Sequence, residues 1–239
     1  MTVLAAMQSA AIRLIGRKPS TFFGATQTFE LEMCDLVNEV ATDIAKYDDW
    51  QALTRIATIS GDGTTTEFDL PDDYDRFTIA GAMQDGATWA WGYRHYQSLD
   101  QFLFDEIRGF NATPGGWIIY GGKLRFSPVP SATAQARFPY ITKNIALDES
   151  TAPKAAFTAD QDSFVLPERL LTLGLVWRWR ENKKLDATGD QEAFIKALDE
   201  YAAKDGGPTV IRRNARSGFG NTHLAYPWEL GPANYWPAG

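Results

Sequence analysis

The sequence predicts an α+β fold: a discontinuous helical bundle made from N- and C-terminal helices, an inserted antiparallel β-sheet module of sandwich or barrel type, and an extended C-terminal tail. Three observations carry this expectation. Apolar residues recur at helical period before residue 50 and again after Leu166, the period falls to two in between, and a Gly- and Pro-rich segment that is nonetheless aromatic follows Asp205. The expected boundaries are residues 1–50 for the N-terminal helices, 51–143 for the β module with one short helix, 144–205 for a linker and C-terminal helical hairpin, and 206–239 for the tail.

Residues 2–16 place Val3, Leu4, Met7, Ala11, Leu14 and Ile15 at helical spacing, with Gly16 as a stop. A connector rich in turn formers, Arg17 to Gln27, leads to the clearest periodic stretch: Phe29, Met33, Leu36, Val37, Val40, Ile44 and Tyr47 share one face over about 33 Å at 1.5 Å per residue. The β module opens with Ile56–Ile59 and Thr66–Leu70, which read as a hairpin around Gly61-Asp62-Gly63. Further strands are predicted at Phe77–Met83, Thr88–Tyr93, Gly116–Tyr120, Lys123–Phe126 and Ala134–Ile141, with Pro139 marking the last as an edge. A short helix, capped by Ser98 with Gln101 three residues on, is predicted to lay Leu99, Phe102, Leu103 and Ile107 over a sheet face. Asn144–Ala159 reads as a polar return linker.

Phe164-Val165-Leu166-Pro167-Glu168 then starts a helix in which Leu170, Leu171, Leu173, Leu175, Val176, Trp177 and Trp179 exceed what one buried stripe absorbs. Two explanations stand: a core helix covered on several sides by its own chain, or one covered partly by a neighbouring subunit through Trp177 and Trp179. The chain turns near Gly189 and returns through an amphipathic helix with Ala193, Phe194, Ala197, Leu198 and Tyr201 on one face.

Composition narrows the functional classes. At 44% hydrophobic and 13% aromatic over 239 residues, the chain supports a sizeable core, and no apolar run reaches the roughly 18 residues that span a bilayer. The expectation is a soluble protein of a cytoplasm, with no membrane partner. Residues 28–204 hold 17 basic against 28 acidic groups, a surface that repels phosphate and disfavours general nucleic-acid binding, although DNA passing by is compatible with it. The single cysteine, Cys34, excludes an intrachain disulfide and a cysteine-built zinc site, and reads as inert packing.

The motifs of catalysis are missing. Histidine occurs only at His95 and His223, and no H-E-x-x-H, G-x-S-x-G or P-loop pattern is present, so no catalytic, cofactor-binding or metal residue is assigned. Two weaker candidates are Asp69, Asp72, Asp73 and Asp75 for a hard cation, without EF-hand spacing, and Trp89, Trp91, Tyr93, Tyr96, Trp117 and Tyr120 as a sugar platform. The tail is more informative. From Asp205 on it holds six Gly, four Pro and three Asn, yet also Ile211, Phe219, Leu224, Tyr226, Trp228, Tyr235 and Trp236, which linkers avoid and interfaces use, so the tail either wraps over its own domain or, the favoured reading, orders on another subunit.

Phe164–Glu168 followed by Leu171-Thr172-Leu173-Gly174-Leu175-Val176-Trp177-Arg178-Trp179, and then the Phe194–Tyr201 helix, resembles the C-terminal signature of tailed-bacteriophage head-to-tail adaptor (connector) proteins. Trp50 and Phe68-Asp69-Leu70-Pro71-Asp72-Asp73-Tyr74-Asp75-Arg76 are similar to the start of that family's sheet insertion. The resemblance, which covers most of residues 1–213, is to the portal-ring adaptors that include tail tubular protein A. It implies a structural virion protein without catalysis or cofactor, found at the head-tail junction and in the host cytoplasm during assembly. It also implies a ring, commonly of twelve copies, beneath the portal protein, with a tail or nozzle protein as next partner and genomic DNA in passage. The portal-docking segment would be Ile211, Arg212, Arg213, Phe219, Leu224, Tyr226, Trp228, Tyr235 and Trp236. The alternative is a carbohydrate- or protein-binding module of a phage tail.

Overall fold

A computed structural model describes residues 2–79, 81–86, 91–110 and 113–206. They form five helices and several small sheets, an α+β fold, and fall into two compact units, residues 2–54 with 141–206 and residues 55–140.

The first unit is a bundle of α1 (Val3–Ile15), α2 (Thr28–Tyr47), α4 (Glu168–Asn182) and α5 (Thr188–Asp205). Helix α4 packs against α1, α2 and α5. Leu170, Leu171, Leu175 and Val176 are buried in the common core with Met7, Val37, Val40 and Phe194. This accounts for the apolar surplus of α4: three partners cover it, so its Leu and Val residues need no second subunit. Gly174 allows the closest approach, because a Cβ there would lie 2.4 Å from Val40 Cγ1 and 3.1 Å from Phe194 Cε2. The hairpin turn falls at residues 183–187, before Gly189, which is already helical; Lys184 takes the left-handed conformation with φ 56°.

The return segment is no loose linker. It carries β9 (Ala146–Leu147), flanked by β10 (Pro153–Lys154) and β11 (Ser163–Phe164) in a three-stranded antiparallel sheet, and it buries Phe157 in the bundle core. Polar side chains fix it to α2 and to the connector before it, and brace it internally. Asn38 brackets Phe157, its amide donating to the carbonyl at 3.2 Å and accepting from the N–H at 2.7 Å. Asp160 accepts from the N–H groups of Phe22 and Phe23, both at 3.1 Å, and from the Thr21 hydroxyl. Asp162, buried at 2% exposure, accepts from the N–H groups of Thr158 at 2.7 Å and Ala159 at 3.0 Å and pairs with Lys154 at 2.6 Å. Burial pushes the Asp162 carboxyl up, but the Lys154 ammonium and the two N–H groups together outweigh it and hold the pKa below the usual carboxylate value. At the end of α2, Trp50 is buried with its indole N–H donating to the Ile44 carbonyl at 2.7 Å.

The second unit contains two four-stranded sheets. One pairs β1 (Thr54–Ser60), β8 (Gln135–Thr142) and β3 (Tyr74–Phe77), with β4 (Gln84–Asp85) also on β8. The other runs β2 (Glu67–Asp69), β7 (Lys123–Ser127), β6 (Gly116–Tyr120), β5 (Arg94–His95). Phe138 and Ala136 of β8 share a core with Trp117, Leu124 and Phe126 of β6 and β7.

Several expectations are corrected here. The β1–β2 hairpin does not form: β1 pairs with β8 and β2 with β7, so the Gly61–Gly63 turn links two sheets. Strand β8 lies inside its sheet despite Pro139. Its neighbours β3 and β4 are only four and two residues long, so the ladder is interrupted and a missing N–H is tolerated. The sheets are not wholly antiparallel, since β5 joins β6 in parallel after the crossover through α3 (Leu99–Arg108). The Phe77–Met83 strand shifts to β3; of the predicted Thr88–Tyr93 strand, residues 88–90 lie outside the described residues and 91–93 are not strand. Ser98 is the N-cap of α3 but makes no side-chain cap bond, and only Phe102 and Leu103 of the predicted stripe pack on the sheet, against Tyr96 and Ile118. Ile107 is 80% exposed.

Two outcomes follow from the bundle's construction. Gly174→Ala gains about 1 kcal/mol of helix propensity but overlaps Val40, so urea denaturation gives a net loss of about 1–3 kcal/mol. Adding Val40→Ala restores part of it as a favourable coupling in the double-mutant cycle. Asp162→Asn removes charge-assisted bonds worth about 1.5–3 kcal/mol at pH 7. Because the folded pKa of Asp162 is lowered, its contribution is full above the unfolded value of about 3.9 and is lost as pH falls through the folded value. The stability difference between wild type and variant therefore begins to shrink below about pH 4 and closes only below the folded pKa, as pH-dependent denaturation will read.

Candidate interaction surface

Trp177 and Trp179 lie half-exposed on the C-terminal half of α4, and each is engaged within the bundle. Trp177 stacks on Phe194 with centroids 5.3 Å apart, and the Arg178 guanidinium lies 4.6 Å from its ring centre. Trp179 meets Phe29 edge-on at 5.8 Å and donates its indole N–H to Glu32 at 3.0 Å. Lys183 pairs with the same carboxylate at 2.6 Å and, with Trp179, lowers the Glu32 pKa. Nearby, Arg178 bridges Glu39, Asp43 and Glu181 at 3.4, 2.9 and 3.1 Å. The basic end of α4 is thus bound to the acidic side of α2, with both indoles half-buried.

The β-module aromatics do not make a platform. Tyr93, Tyr96 and Trp117 are buried at 3–4% exposure, where their faces meet Phe126, Phe102 and Phe77. The Trp91 indole donates to the Thr113 carbonyl, Tyr120 bonds Arg125, and Trp89 lies outside the described residues. These rings build the core and its rim, which removes the main reason to expect a sugar there. The aspartates also separate: Asp69 pairs with Lys123, Asp73 accepts from the Tyr140 hydroxyl at 2.7 Å, and Asp75 pairs with Arg76. No group of three or more metal-ligating side chains occurs among the described residues.

One apolar surface was not anticipated. On the outer side of α3, Phe104, Ile107 and Phe110 are 54%, 80% and 63% exposed, and the two phenyl rings lie 6.4 Å apart. The signal was present in the sequence: Phe104 and Ile107 form a second i,i+3 pair beside the Phe102–Leu103 stripe, and a helix laid on a sheet buries only one. Solvent-facing clusters of this kind mark contact sites in assembling proteins.

The predicted docking residues Ile211, Arg212, Arg213, Phe219, Leu224, Tyr226, Trp228, Tyr235 and Trp236 all lie outside the described residues. A groove of about 650 Å³ opens at the N-terminal end of α4, between Ser9 and Arg13 of α1 and Tyr201 of α5. Phe164, Leu166 and Leu173 line its apolar part and Glu168 its polar part.

No helix among the described residues is long and apolar enough to cross a membrane. The sequence pattern of the SU10 adaptor protein family matches residues 1–217, taking in both units and running past the end of α5 at Asp205. No curated protein matches the chain.

The remaining candidate for chemistry, the Cys34 thiol, is half-buried on α2, and desolvation with the nearby charges of Asp160 and Glu30 pushes its pKa up to about 11. At pH 8 the native protein should therefore resist iodoacetamide and label fully only after unfolding, as read by intact mass.

Proposed function

The chain belongs to the SU10 adaptor protein family, a family of bacteriophage structural proteins, and on that premise we propose that it joins capsid to tail as a ring beneath the portal protein. The observation that carries this reading is the match itself, which spans the helical bundle and the β insertion together rather than one of them. The composition of the tail supports it: Phe219, Leu224, Tyr226, Trp228, Tyr235 and Trp236 are set among Gly and Pro, a sequence suited to ordering on a partner. In this reading the tail docks on the portal. Subunits of a ring, a dodecamer on a twelve-fold portal, meet partly through Trp177 and Trp179 and the apolar side of α3. The far side of the ring receives the next tail or nozzle protein.

The acidic body fits a passage for DNA. With 28 acidic against 17 basic groups in residues 28–204, the surface repels the phosphate backbone, so a genome slides by without being held. The free protein remains a monomer until a portal templates the ring, a reading that rests on a tail composition suited to folding on a partner.

Purified protein mixed with the cognate portal should form a ring on the outer end of portal particles by electron microscopy. Deleting residues 218–239 should abolish attachment while leaving the circular dichroism of the remaining fold unchanged. Absence of rings with the intact chain, or attachment undiminished by the deletion, would refute the proposal.

A further inference from the structure

We propose that the apolar face of α3 on one copy of the chain seats in the groove at the N-terminal end of α4 on the next copy, with Phe104 and Ile107 over Leu166 and Leu173 and Asp100 beside Arg13 and Arg169. The proposal rests on the ring reading and names two faces that meet in it. The groove is an unfilled recess: Phe164, Leu166 and Leu173 line its apolar part in a space of about 650 Å³, room for a few side chains. Arg13 and Arg169 border it, both exposed. Neither has a carboxylate partner among the described residues, whereas Arg17, Arg94, Arg125, Arg178 and Arg180 all do. Two cations against the one carboxylate of Glu168 make the groove a basic place on a chain of net charge −7.

The outer face of α3 is the matching projection. Asp100, Phe104 and Ile107 recur at i, i+4 and i+7, so they share one side over about 10 Å of helix axis. All three are exposed, and Phe110 extends the patch past the end of the helix. Of the three acidic residues on α3, Asp105 pairs with Arg94 at 3.6 Å and Glu106 with Arg125 at 3.0 Å. Asp100 is left without a cation among the described residues. The same contacts, with the Tyr96 hydroxyl donating to Asp105 at 2.8 Å, clamp α3 to its sheet, so the patch is presented rigidly. Arg108 lies 5.6 Å from the Phe104 ring centre, at the opposite end of the helix from Asp100, which leaves the leading end of the face acidic. Apolar anchors on one side of a helix, with a carboxylate beside them, are what a basic, apolar groove takes.

The groove lies wholly in the bundle and the patch wholly in the β unit, so each copy carries one of each. A projection that fits a recess elsewhere on the same molecule makes a head-to-tail contact, which repeats from copy to copy and closes into a ring when the rotation allows. A two-fold contact of α3 with α3 would stop at a dimer. Three side chains bury far less than the roughly 800 Å² per partner of a stable pair, so the contact holds only where a portal gathers the copies.

Cysteine cross-linking on the full chain decides it. A double variant, Ser9→Cys with Ile107→Cys, should give a ladder of covalent oligomers under mild oxidation. The ladder should form on portal-bound rings and also in the isolated chain as it is concentrated, where oxidation traps transient pairs. The wild type, with Cys34 alone, is the control. Adding Phe104→Asp should abolish the ladder with the circular dichroism unchanged. Reversing the rim with Arg13→Glu and Arg169→Glu should cut the yield about fivefold, and Asp100→Arg on that background should recover most of it. A ladder missing from both samples would overturn the proposal, and rings seen on the portal without it would leave the portal reading standing. A ladder in the concentrated chain with no rings on the portal would keep this contact and remove the portal reading. Dimers of the Ile107→Cys single variant, or a 9–107 disulfide closed within one chain, would also overturn the proposal.

Discussion

The bundle depends on the closeness of α4 to α2 at Gly174. A helix that must touch three others has little surface to spare, and Gly174, with no side chain, lets the backbone of α4 come within contact of Val40 while Phe194 packs alongside. Any Cβ there would push the helices apart by a fraction of an ångström. Because protein interiors are close-packed, that displacement would be felt by Leu170, Leu171, Leu175 and Val176 together. The sequence of α4, apolar on more than one side, makes sense only with this geometry.

A second constraint is polar. The N-terminal helices and the return segment are far apart in sequence, and apolar contact alone would leave their register loose. Asn38 on Phe157, Asp160 on the N–H groups of Phe22 and Phe23, and the Val3 N–H on the Asp162 carbonyl fix it with directional bonds, while the Asp162 carboxylate braces the return segment internally through Thr158, Ala159 and Lys154. Each carboxylate or amide satisfies backbone groups that would otherwise be buried without partners. Hydrophobic burial drives association of the halves, and these side chains select one alignment.

Much of this was legible in the sequence, and the omissions have physical causes. The helices could be read because a 3.6-residue period is a local property: α1, α2 and α5 carry it plainly, and Gly16 closes α1 in the left-handed conformation that glycine favours. Strand pairing could not be read, since Ile56–Ile59 and Thr66–Leu70 look like a hairpin locally while their real partners, β8 and β7, are decided by the two-sheet core. The return segment looked like a polar linker because Phe157 and Asp160 act at long range, where no periodicity announces them. At the interaction surface, the aromatic residues of the β module suggested a binding platform, but Tyr93, Tyr96 and Trp117 are simply large core residues. Ile107 was assigned to the stripe that packs, of which only Phe102 and Leu103 do, and the exposed Phe104 beside it went unread.

The discontinuous bundle also sets an order of events during synthesis. Asn38 and Phe157 are 119 residues apart, and Tyr47 and Asp199, which share a hydrogen bond, are 152 apart. At about 5–20 residues per second, α1 and α2 leave the ribosome on the order of ten seconds before α4 and α5 exist to cover them. The β unit, contiguous in sequence from residue 55 to 140, is complete in the meantime. Its folding draws the ends of the insertion together and shortens the loop that the late helices must close, a saving that grows with the logarithm of the residues removed. The insertion therefore serves the nascent chain as a folding clasp, holding the two halves of the bundle near each other before the last helix arrives.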